Sequence, residues 1–599
     1  MLTAIRIILL TASFLGYCAA LRKKNIPMPF VPILVLTAAG SLLFLAGILN
    51  LLPQTALILL AGGLICTVYL RSFRTLSRHD WICFSVFAGM TLFFVWRLQG
   101  TVPLHYDNFT HWLRIVRDIL DNDRFPNFQS SLIIFPSYPA GAAAFAYLIC
   151  KVTGLQTDAA ALFSQAIVMA AALCTMLAFA KQFRLSSILV FAFGCIYCIV
   201  ANPVADEAML KILPDFVDIS ICEMLPDTLI SMLSIAALSM VIYYRKDLFR
   251  GAWLSLPVQI YLISVKNSGL FMILFNTALL IFYACQSISG EKALRRIQAL
   301  KLAAIHSGIP FLVFYLWNRH ADLVFASGTT SKHSVSLYYY RGMLGGKGIS
   351  GILEILRIFL NRFFSWSDSW LLLAICIALF AAVFFLLKKK DQQAARTTLL
   401  VFGGIVLTYV LFMMALALMY LASMDYEEAI RLACYDRYEK TITVYLVGAI
   451  TIFLLSLLSG KDLPKSRSVI AVAAAILILL PIAHRIPKLF IKQNPYDGST
   501  RQFLEQAKDA HNIPDGARCL VYVSADPETD VGYSSYLSQY VFWSNSIHLL
   551  YAAECDPEML EAAAQEYDYF IPQQQDATVQ QFLTQGGYPL GHTAYQLTH

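Results

Sequence analysis

Charged residues are scarce in this chain. Only 14% of its 599 residues are Asp, Glu, Lys or Arg, whereas soluble domains carry about a quarter. Hydrophobic residues make up 58% of the sequence, and the mean hydropathy is +0.63. This balance excludes an ordinary soluble protein and predicts a polytopic protein embedded in a lipid bilayer.

Signals for several other classes are also missing. The net charge is +7, but lysines and arginines gather in short loops between apolar runs, as an orientation signal requires, so no nucleic-acid partner is expected. Most cysteines lie within apolar runs, where thiols act as small hydrophobic groups, and no Cys/His array suggests zinc. Arg22-Lys23-Lys24 stands where a signal peptide would have its small-residue cleavage site, so no cleavable signal is predicted. A disulfide between Cys519 and Cys555 is left open.

Long apolar runs are abundant, and a spanning helix needs about 20 mostly apolar residues. Such runs lie near 3–20, 28–50, 53–70, 81–97, 158–180, 185–203, 224–243, 268–287, 302–318, 369–387, 397–421, 441–459 and 468–485. With the shorter run 252–265, the sequence predicts a mainly α, polytopic bundle of about 14 spans.

Basic clusters occur in every second connection. They are Arg22-Lys23-Lys24, Arg71/Arg74/Arg78, Lys181/Arg184, Arg245-Lys246/Arg250, Lys292/Arg295-Arg296, Lys388-Lys389-Lys390 and Lys461/Lys465/Arg467. The positive-inside rule makes these loops cytoplasmic, so both termini are expected outside. This count requires segment 138–152 to enter the outer leaflet without crossing.

The predicted organisation has four parts. N-terminal transmembrane helices occupy 1–97, a large extracytoplasmic loop with amphipathic and re-entrant helices 98–157, a transmembrane core 158–486, and a soluble extracytoplasmic α/β domain 487–599. Within the core, outward loops are expected at 204–223, 319–368 and 422–440. In the tail, helices are expected at 501–511 and 556–565 and strands at 519–523 and 567–571. The tail carries no catalytic motif, which favours a capping or acceptor-contact role.

The first strongly polar outward segment runs from His105 to Leu120. Asp107 stands at the start of a predicted amphipathic helix, 108–121, where it is either an N-cap or a catalytic base. A cap does not require flanking histidines, so His105 and His111 favour the base. His111, at i+4 on the same helical face, can orient the carboxylate, bind phosphate or help ligate a divalent cation. The cation is the least favoured of these three roles, since one Asp and one His leave most of its ligand positions empty, and no cofactor is assigned.

Three further positions are candidates for binding. Asp227 opens a span and belongs to an acidic outward stretch, so it is either a binding residue or part of a solvated loop. Lys266 lies between apolar runs, where an intramembrane cation suggests function but a snorkelling lysine would look the same. Arg437, followed by Tyr438, suits a bidentate grip on phosphate, although Asp436 and Glu439 offer a local salt bridge.

The loop 319–368 is rich in small residues. It contains Ser327 to His333, then Tyr338-Tyr339-Tyr340-Arg341, and then Gly342, Gly345, Gly346 and Gly348. This composition predicts a mobile segment able to close over substrate. The context of its lysine is not that of a phosphate-binding Walker loop.

The Asp107 motif, the amphipathic helix and the Tyr138-Pro139 pair together resemble the GT-C superfamily of membrane glycosyltransferases. These polyprenyl-phosphate-sugar enzymes include the protein mannosyltransferases and the aminoarabinose transferase of lipid A. Pro226-Asp227-Thr228, Lys266-Asn267-Ser268-Gly269 and Asp436-Arg437-Tyr438 also resemble the pattern, which covers residues 80 to 460 loosely. Two departures stand out: several spans precede the Asp loop where many relatives have one, and Asp107-Asn108 replaces a double acidic pair.

The resemblance implies an inverting transferase in a bacterial plasma membrane, with its active site outside. Its donor would be a polyprenyl-phosphate sugar, and its acceptor a glycan, lipid or protein. Asp107, His111 and Asp227 would be catalytic, and His105, Lys266, Arg437 and Tyr438 would bind substrate or phosphate. One alternative is a polymerase or ligase of lipid-linked glycans that uses Arg341, Arg357 and Arg362. A second is a flippase or transporter, but internal repeats and mid-membrane charges are not evident.

Overall fold

The computed structural model describes residues 1–205, 207–213, 216–287, 292–325, 337–388, 392–459, 465–491, 496–530 and 532–597. Within these ranges, 13 helical stretches are long and apolar enough to cross a membrane. They are Leu2–Lys23, Met28–Ile48, Leu52–Thr75, Arg78–Leu98, Asp158–Phe179, Pro226–Tyr243, Leu248–Val265, Gly269–Gln286, Ala293–Val324, Asp368–Lys388, Gln392–Ala422, Tyr435–Leu457 and Ser466–Leu489. The prediction of a mainly helical, multi-pass membrane protein is confirmed.

Two apolar helices are shorter. Leu185–Val200 has 16 residues and Gly141–Thr153 has 13, so they measure about 24 and about 20 Å against a hydrocarbon core of about 30 Å. The second covers the segment expected to enter the membrane without crossing. Cys195 and Cys198 are buried as free thiols in the first.

The centre of the bundle is the helix Pro226–Tyr243, which packs against the helices beginning at Asp158, Leu248, Gly269 and Tyr435. Small residues allow the closest approach. A Cβ on Gly448 would lie 2.3 Å from the Ile235 side chain. Close packing at small residues is typical of membrane bundles, and here it brings the middle of helix Tyr435–Leu457 against the middle of helix Pro226–Tyr243.

Seven further helical segments complete the part of the membrane region that the structure describes. They are the π-helix Asn108–Trp112, Leu113–Asn122, Glu207–Ile212, the 3-10 turn Ser220–Cys222, the π-helix Ala304–Gly308, Leu337–Phe364 and Tyr426–Ile430.

Helix Leu337–Phe364 corrects the predicted loop 319–368. Residues up to Val324 complete the preceding helix, and the chain is helical again from Leu337, with one break at Gly348 (φ +63°). The glycines do not prevent this helix, because Ile355 and Phe359 are buried one turn apart. Lys347 adds hydrogen bonds to three carbonyl oxygens at the end of helix Gln392–Ala422, groups that a helix leaves unpaired. Ser327 to His333 lie outside the described residues.

The C-terminal residues form a small α/β unit. Its helices are Thr500–His511, Pro527–Asp530, Tyr533–Phe542, Pro557–Ala564 and Ala577–Gln585, and its strands are β1 Cys519–Val523, β2 Ile547–Tyr551, β3 Tyr569–Pro572 and β4 Tyr595–Gln596. The strand order is β2-β1-β3-β4, with β1 parallel to β2 and β3, and β4 antiparallel to β3. Its first helix and β1 coincide with predicted elements. Cys519 and Cys555 are free thiols, so the disulfide left open by the sequence does not form.

Candidate functional site

Asp107 stands at the start of a π-helical turn, Asn108–Trp112. Such turns are rare and occur frequently at functional sites. The Asp107 Oδ2 accepts a hydrogen bond of 2.8 Å from the Arg437 Nη1. Among the described residues the Asp107 carboxylate caps no backbone N–H of this turn, which argues against the capping alternative.

Glu223 binds the loop that carries Asp107 through several hydrogen bonds. Its buried carboxylate accepts hydrogen bonds from the Leu104 and His105 N–H groups and from the Asn108 amide. The Asn108 Oδ1 accepts in turn from the Met224 N–H. Burial raises the pKa of Glu223 to about 8. The loop that carries Asp107 is therefore fastened to the start of helix Pro226–Tyr243.

Asp227 and Lys266 form a buried ion pair. The Lys266 Nζ lies 2.7 Å from the Asp227 Oδ1, and the two side chains are only 9% and 4% exposed. These values argue against a solvated Asp227 and against a lysine that snorkels to water. A buried charge requires a partner of opposite sign, and each residue supplies it for the other.

Arg437 connects the two parts of the site. Besides Asp107, it approaches Asp227, with the Nε 3.4 Å from the Oδ2. The local salt bridge considered for Arg437 does not form, because Asp436 pairs with Arg362 at 2.6 Å and Glu439 accepts from the Tyr409 hydroxyl at 2.6 Å.

The backbone just before Arg437 is unusual. Leu432 and Cys434 have φ angles of +48° and +60°, a region that residues with a Cβ rarely adopt. Such conformations cost about 1–3 kcal/mol each and cluster at active sites and ligand clamps. They place the first turn of helix Tyr435–Leu457 against the Asp107 loop.

Asp107, Asp227, Lys266 and Arg437 are called the charged cluster below. The cluster joins parts of the chain that lie 39 and 330 residues apart. Asp107 is its most accessible side chain, at 18% exposure. Burial by itself raises the pKa of Asp107, but the charges of Arg437, His105 and Lys266 and the Arg437 hydrogen bond outweigh it, and the pKa lies below its ordinary value. Asp107 is therefore a carboxylate at neutral pH.

His105 and Tyr438 border the charged cluster. The His105 Nδ1 accepts a 3.1 Å hydrogen bond from the Asp107 N–H and lies 3.9 Å from the Asp107 Oδ2. The Tyr438 ring centroid lies 5.1 Å from the Lys266 Nζ and 5.6 Å from the Arg437 guanidinium, within the range of cation–π attraction. Both residues contact the charged groups directly.

His111 is buried among the rings of Trp112, Phe135 and Tyr138. Burial lowers the pKa of its imidazole to about 3, so the ring is neutral at physiological pH. Neither ring nitrogen has a hydrogen-bond partner among the described residues, so the predicted orienting bond from His111 to Asp107 is not formed in this state.

The C-terminal α/β unit contacts the loop that carries Asp107. Arg501 donates 2.6 Å hydrogen bonds to the Pro103 carbonyl and to the Asp158 carboxylate. Arg114, which is fully buried, donates to the Leu132 and Tyr536 carbonyls at 2.8 and 3.1 Å. The polar side of the predicted amphipathic helix is thus covered by protein, since helix Tyr533–Phe542 packs against it.

Sequence reasoning did not identify Glu223 and Arg501 as supports of this site. Glu223 had a usable signal, because an acid inside Cys222-Glu223-Met224-Leu225 has apolar neighbours on both sides. Arg501 had none, since its partners come from two distant segments of the chain.

The charged cluster pairs its two carboxylates with two cations. The part of the chain that the structure describes contains no group of three or more His, Cys, Asp or Glu side chains placed to hold a metal ion. The arrangement can accept a proton at Asp107 and can offer cationic donors to an anion.

Comparisons with protein-family models, with curated proteins and with solved structures found no match for this chain.

Proposed function

We propose that this protein is a membrane glycosyltransferase that moves a sugar from a polyprenyl-phosphate donor to an acceptor outside the plasma membrane. One observation carries the proposal. Four residues selected individually from the sequence, Asp107, Asp227, Lys266 and Arg437, lie together in one largely buried cluster. A base beside two cations is the combination that glycosyl transfer from a lipid phosphate requires.

In the proposed reaction Asp107 takes the proton of the acceptor hydroxyl. The acceptor oxygen forms a bond to the anomeric carbon as the bond from that carbon to the phosphate oxygen breaks. The electron pair of the broken bond leaves with the polyprenyl phosphate, and attack from the opposite face inverts the anomeric centre. The low pKa of Asp107 supports this role, because the carboxylate is ionised at neutral pH.

Lys266 and Arg437 bind the departing phosphate in this proposal. Lys266 uses one of its three donors on Asp227, and Arg437, which has five N–H donors, uses its Nη1 on Asp107 and directs its Nε toward Asp227. Both cations therefore retain donors for phosphate oxygens. Asp227 holds them in position, Tyr438 borders both, His105 positions the Asp107 backbone, and the unpaired nitrogens of His111 receive substrate hydroxyls.

A topology of 14 crossings, with both termini outside, accompanies this proposal. Arg501 contacts both Pro103 and Asp158, which supports a helix Gly141–Thr153 that returns to the side from which it started. Arg485 contacts the Ala201 carbonyl and Asp218, which supports a crossing by Leu185–Val200. The basic clusters then all lie on the opposite, cytoplasmic face.

The deciding experiment measures sugar transfer by purified protein in lipid, from a set of polyprenyl-phosphate sugars. We expect Asp107→Asn to lower turnover by about 10²- to 10⁴-fold, because it removes a general base and little volume. Asp121→Asn, an exposed carboxylate of the following helix, is the matched control and should retain wild-type turnover. Wild-type turnover in Asp107→Asn would disprove the assignment of the base, and no turnover of any donor by the wild type would disprove the class.

A further inference from the structure

A second group of charged side chains lines a cavity of about 370 Å³ beside the charged cluster. One wall is the first two turns of helix Tyr435–Leu457, where Asp436, Glu439 and Lys440 line the cavity while Arg437 contacts Asp107. The cavity and the charged cluster therefore share the beginning of this helix.

The other walls come from three further parts of the chain. Arg362 lies in the last turn of helix Leu337–Phe364, and Trp366 to Asp368 follow that helix. Ala201, Pro203 and Asp218 come from the segment after helix Leu185–Val200, and His484, Arg485 and Lys488 belong to the last apolar helix. These segments also meet at the Asp107 side of the bundle, because Arg362 pairs with Asp436. A ligand in the cavity would thus lie next to the charged cluster.

The lining contains equal numbers of positive and negative side chains. The cations are Arg362, Lys440, Arg485 and Lys488, and the anions are Asp218, Asp368, Asp436 and Glu439. Apart from His484, these side chains carry no net formal charge. A polyanion such as a second lipid phosphate would therefore gain no net electrostatic attraction here. The binding of a neutral polar ligand does not depend on such a net attraction.

Several of these charges form pairs that expose both donors and acceptors. Arg362 and Asp436 lie 2.6 Å apart at 39% and 56% side-chain exposure, and Lys440 lies 3.9 Å from Asp368. Each sugar hydroxyl can donate one hydrogen bond and accept two. It can therefore donate to the carboxylate of such a pair and accept from the cation.

Trp366 adds an aromatic surface at the cavity, and 76% of its side chain is exposed. An indole offers a large apolar face with low conformational cost. A sugar ring has C–H groups on its faces and hydroxyls at its edge, so it can stack on Trp366 while its hydroxyls reach the charged pairs.

We propose that this cavity binds a neutral glycan and that this glycan is the acceptor. The claim that the cavity binds a glycan is inferred from the cavity alone. The claim that this glycan is the acceptor rests on the proposed function. This proposal reduces the possible classes of acceptor, which were a glycan, a lipid or a protein, to a neutral glycan.

The binding part is tested by chemical protection of Lys488 in the full-length protein. Acetylation of its amine is followed by mass spectrometry with and without neutral malto-, cello- and chito-oligosaccharides. We expect at least one series to slow acetylation by about tenfold at saturation, while the exposed Lys24 reacts at an unchanged rate. No protection by any neutral series, or protection by a sulfated glycan alone, would overturn the proposal.

The acceptor part is tested by the ratio of sugar transferred to the protecting oligosaccharide to sugar released into water. In Trp366→Ala and Lys488→Gln we expect this ratio to fall by about tenfold at low oligosaccharide concentration. Trp253→Ala removes a similarly exposed ring that does not line the cavity, and it should leave the ratio unchanged.

Two outcomes of the second test would overturn the acceptor assignment. One is an unchanged ratio in both variants. The other is a parallel fall of both products, which would instead place the donor phosphate in the cavity. If the wild type cleaves no donor, the proposed function fails, while the protection of Lys488 still decides whether the cavity binds a glycan.

Discussion

The ion pairs of the charged cluster determine what each residue can do. Arg437 and Lys266 keep Asp107 ionised despite its burial, and Asp227 balances the two cations. A buried pair contributes little net stability, because desolvation offsets the attraction, but removal of one partner leaves an uncompensated charge. The same contacts therefore tune the base and make single substitutions costly.

The pH dependence of turnover tests the contact between Arg437 and Asp107. The pKa of Asp107 lies below its ordinary value, so the wild type should lose activity only below about pH 4. Arg437→Gln removes the charge that most strongly opposes the effect of burial on Asp107, so the pKa of Asp107 should rise. The acid limb of the residual activity should then move to higher pH. Arg437→Lys keeps one charge and should shift the limb less. Superimposable limbs in all three proteins would show that Arg437 does not tune Asp107.

The Asp227–Lys266 pair predicts a compensating double substitution. Lys266→Met and Asp227→Asn should each destabilise the folded protein by about 3–5 kcal/mol, because each leaves one uncompensated charge in the buried charged cluster. The double variant should recover most of this loss in thermal unfolding while remaining inactive in transfer. Additive losses in the double variant would show that the two residues do not act as a pair.

At the scale of elements, the Asp107 loop and helix Pro226–Tyr243 depend on Glu223. This side chain accepts three hydrogen bonds from the loop and is 3% exposed. These hydrogen bonds lie in a buried region of low dielectric constant. If Glu223 were lost, the three buried donors would have no acceptor, which is costly in such a region.

Glu223 predicts a fall of stability as the pH rises from about 4.5 to about 8. Its pKa is raised from 4.5 to about 8, so the folded state holds a proton that the unfolded state has lost. The resulting stability is fully present below the ordinary pKa and is lost as the pH rises through about 8. Glu223→Gln should remove this decline in the unfolding temperature between about pH 4.5 and about pH 8. The exposed Glu561→Gln should retain it, and an unchanged decline in Glu223→Gln would exclude Glu223 as its source.

For the whole molecule, the contacts between distant segments imply one functional face. Arg501, Arg485 and Arg362 each contact segments that carry or border the site. The C-terminal α/β unit and helix Leu337–Phe364 therefore support the site from the same side. In the proposed topology this side faces outward, together with both termini, and the basic loops face the cytoplasm.

Labelling in intact cells tests this orientation. Cys285 is an exposed thiol near the end of helix Gly269–Ser287 that would face the cytoplasm. A membrane-impermeant maleimide should not reach it, whereas Gln585→Cys, on the surface of the C-terminal unit, should be labelled. After the membrane is permeabilised, both thiols should react. Labelling of Cys285 in intact cells would reverse the proposed topology.

Features of the structure that depend on consecutive residues could be predicted from the sequence, and features that depend on contacts between distant residues could not. Hydropathy reports on consecutive residues, so the helices of the bundle were predicted near their observed positions. The loop predicted at 319–368 was wrong from Leu337 onward, because glycine content was weighed without the packing of Ile355 and Phe359. The catalytic and binding roles, and the likeness to the GT-C superfamily, stay predictions.

The sequence by itself determined that this chain enters a membrane many times, and which charged residues stand at helix ends, because both follow from the cost of placing charge in hydrocarbon. Only the tertiary structure decided the partners. Asp107 meets Arg437 across 330 residues, and Glu223 and Arg501 support the loop from elements that no local pattern connects to it. Partner choice depends on which helix ends the packing brings together, and that packing is set by contacts such as Gly448 against Ile235.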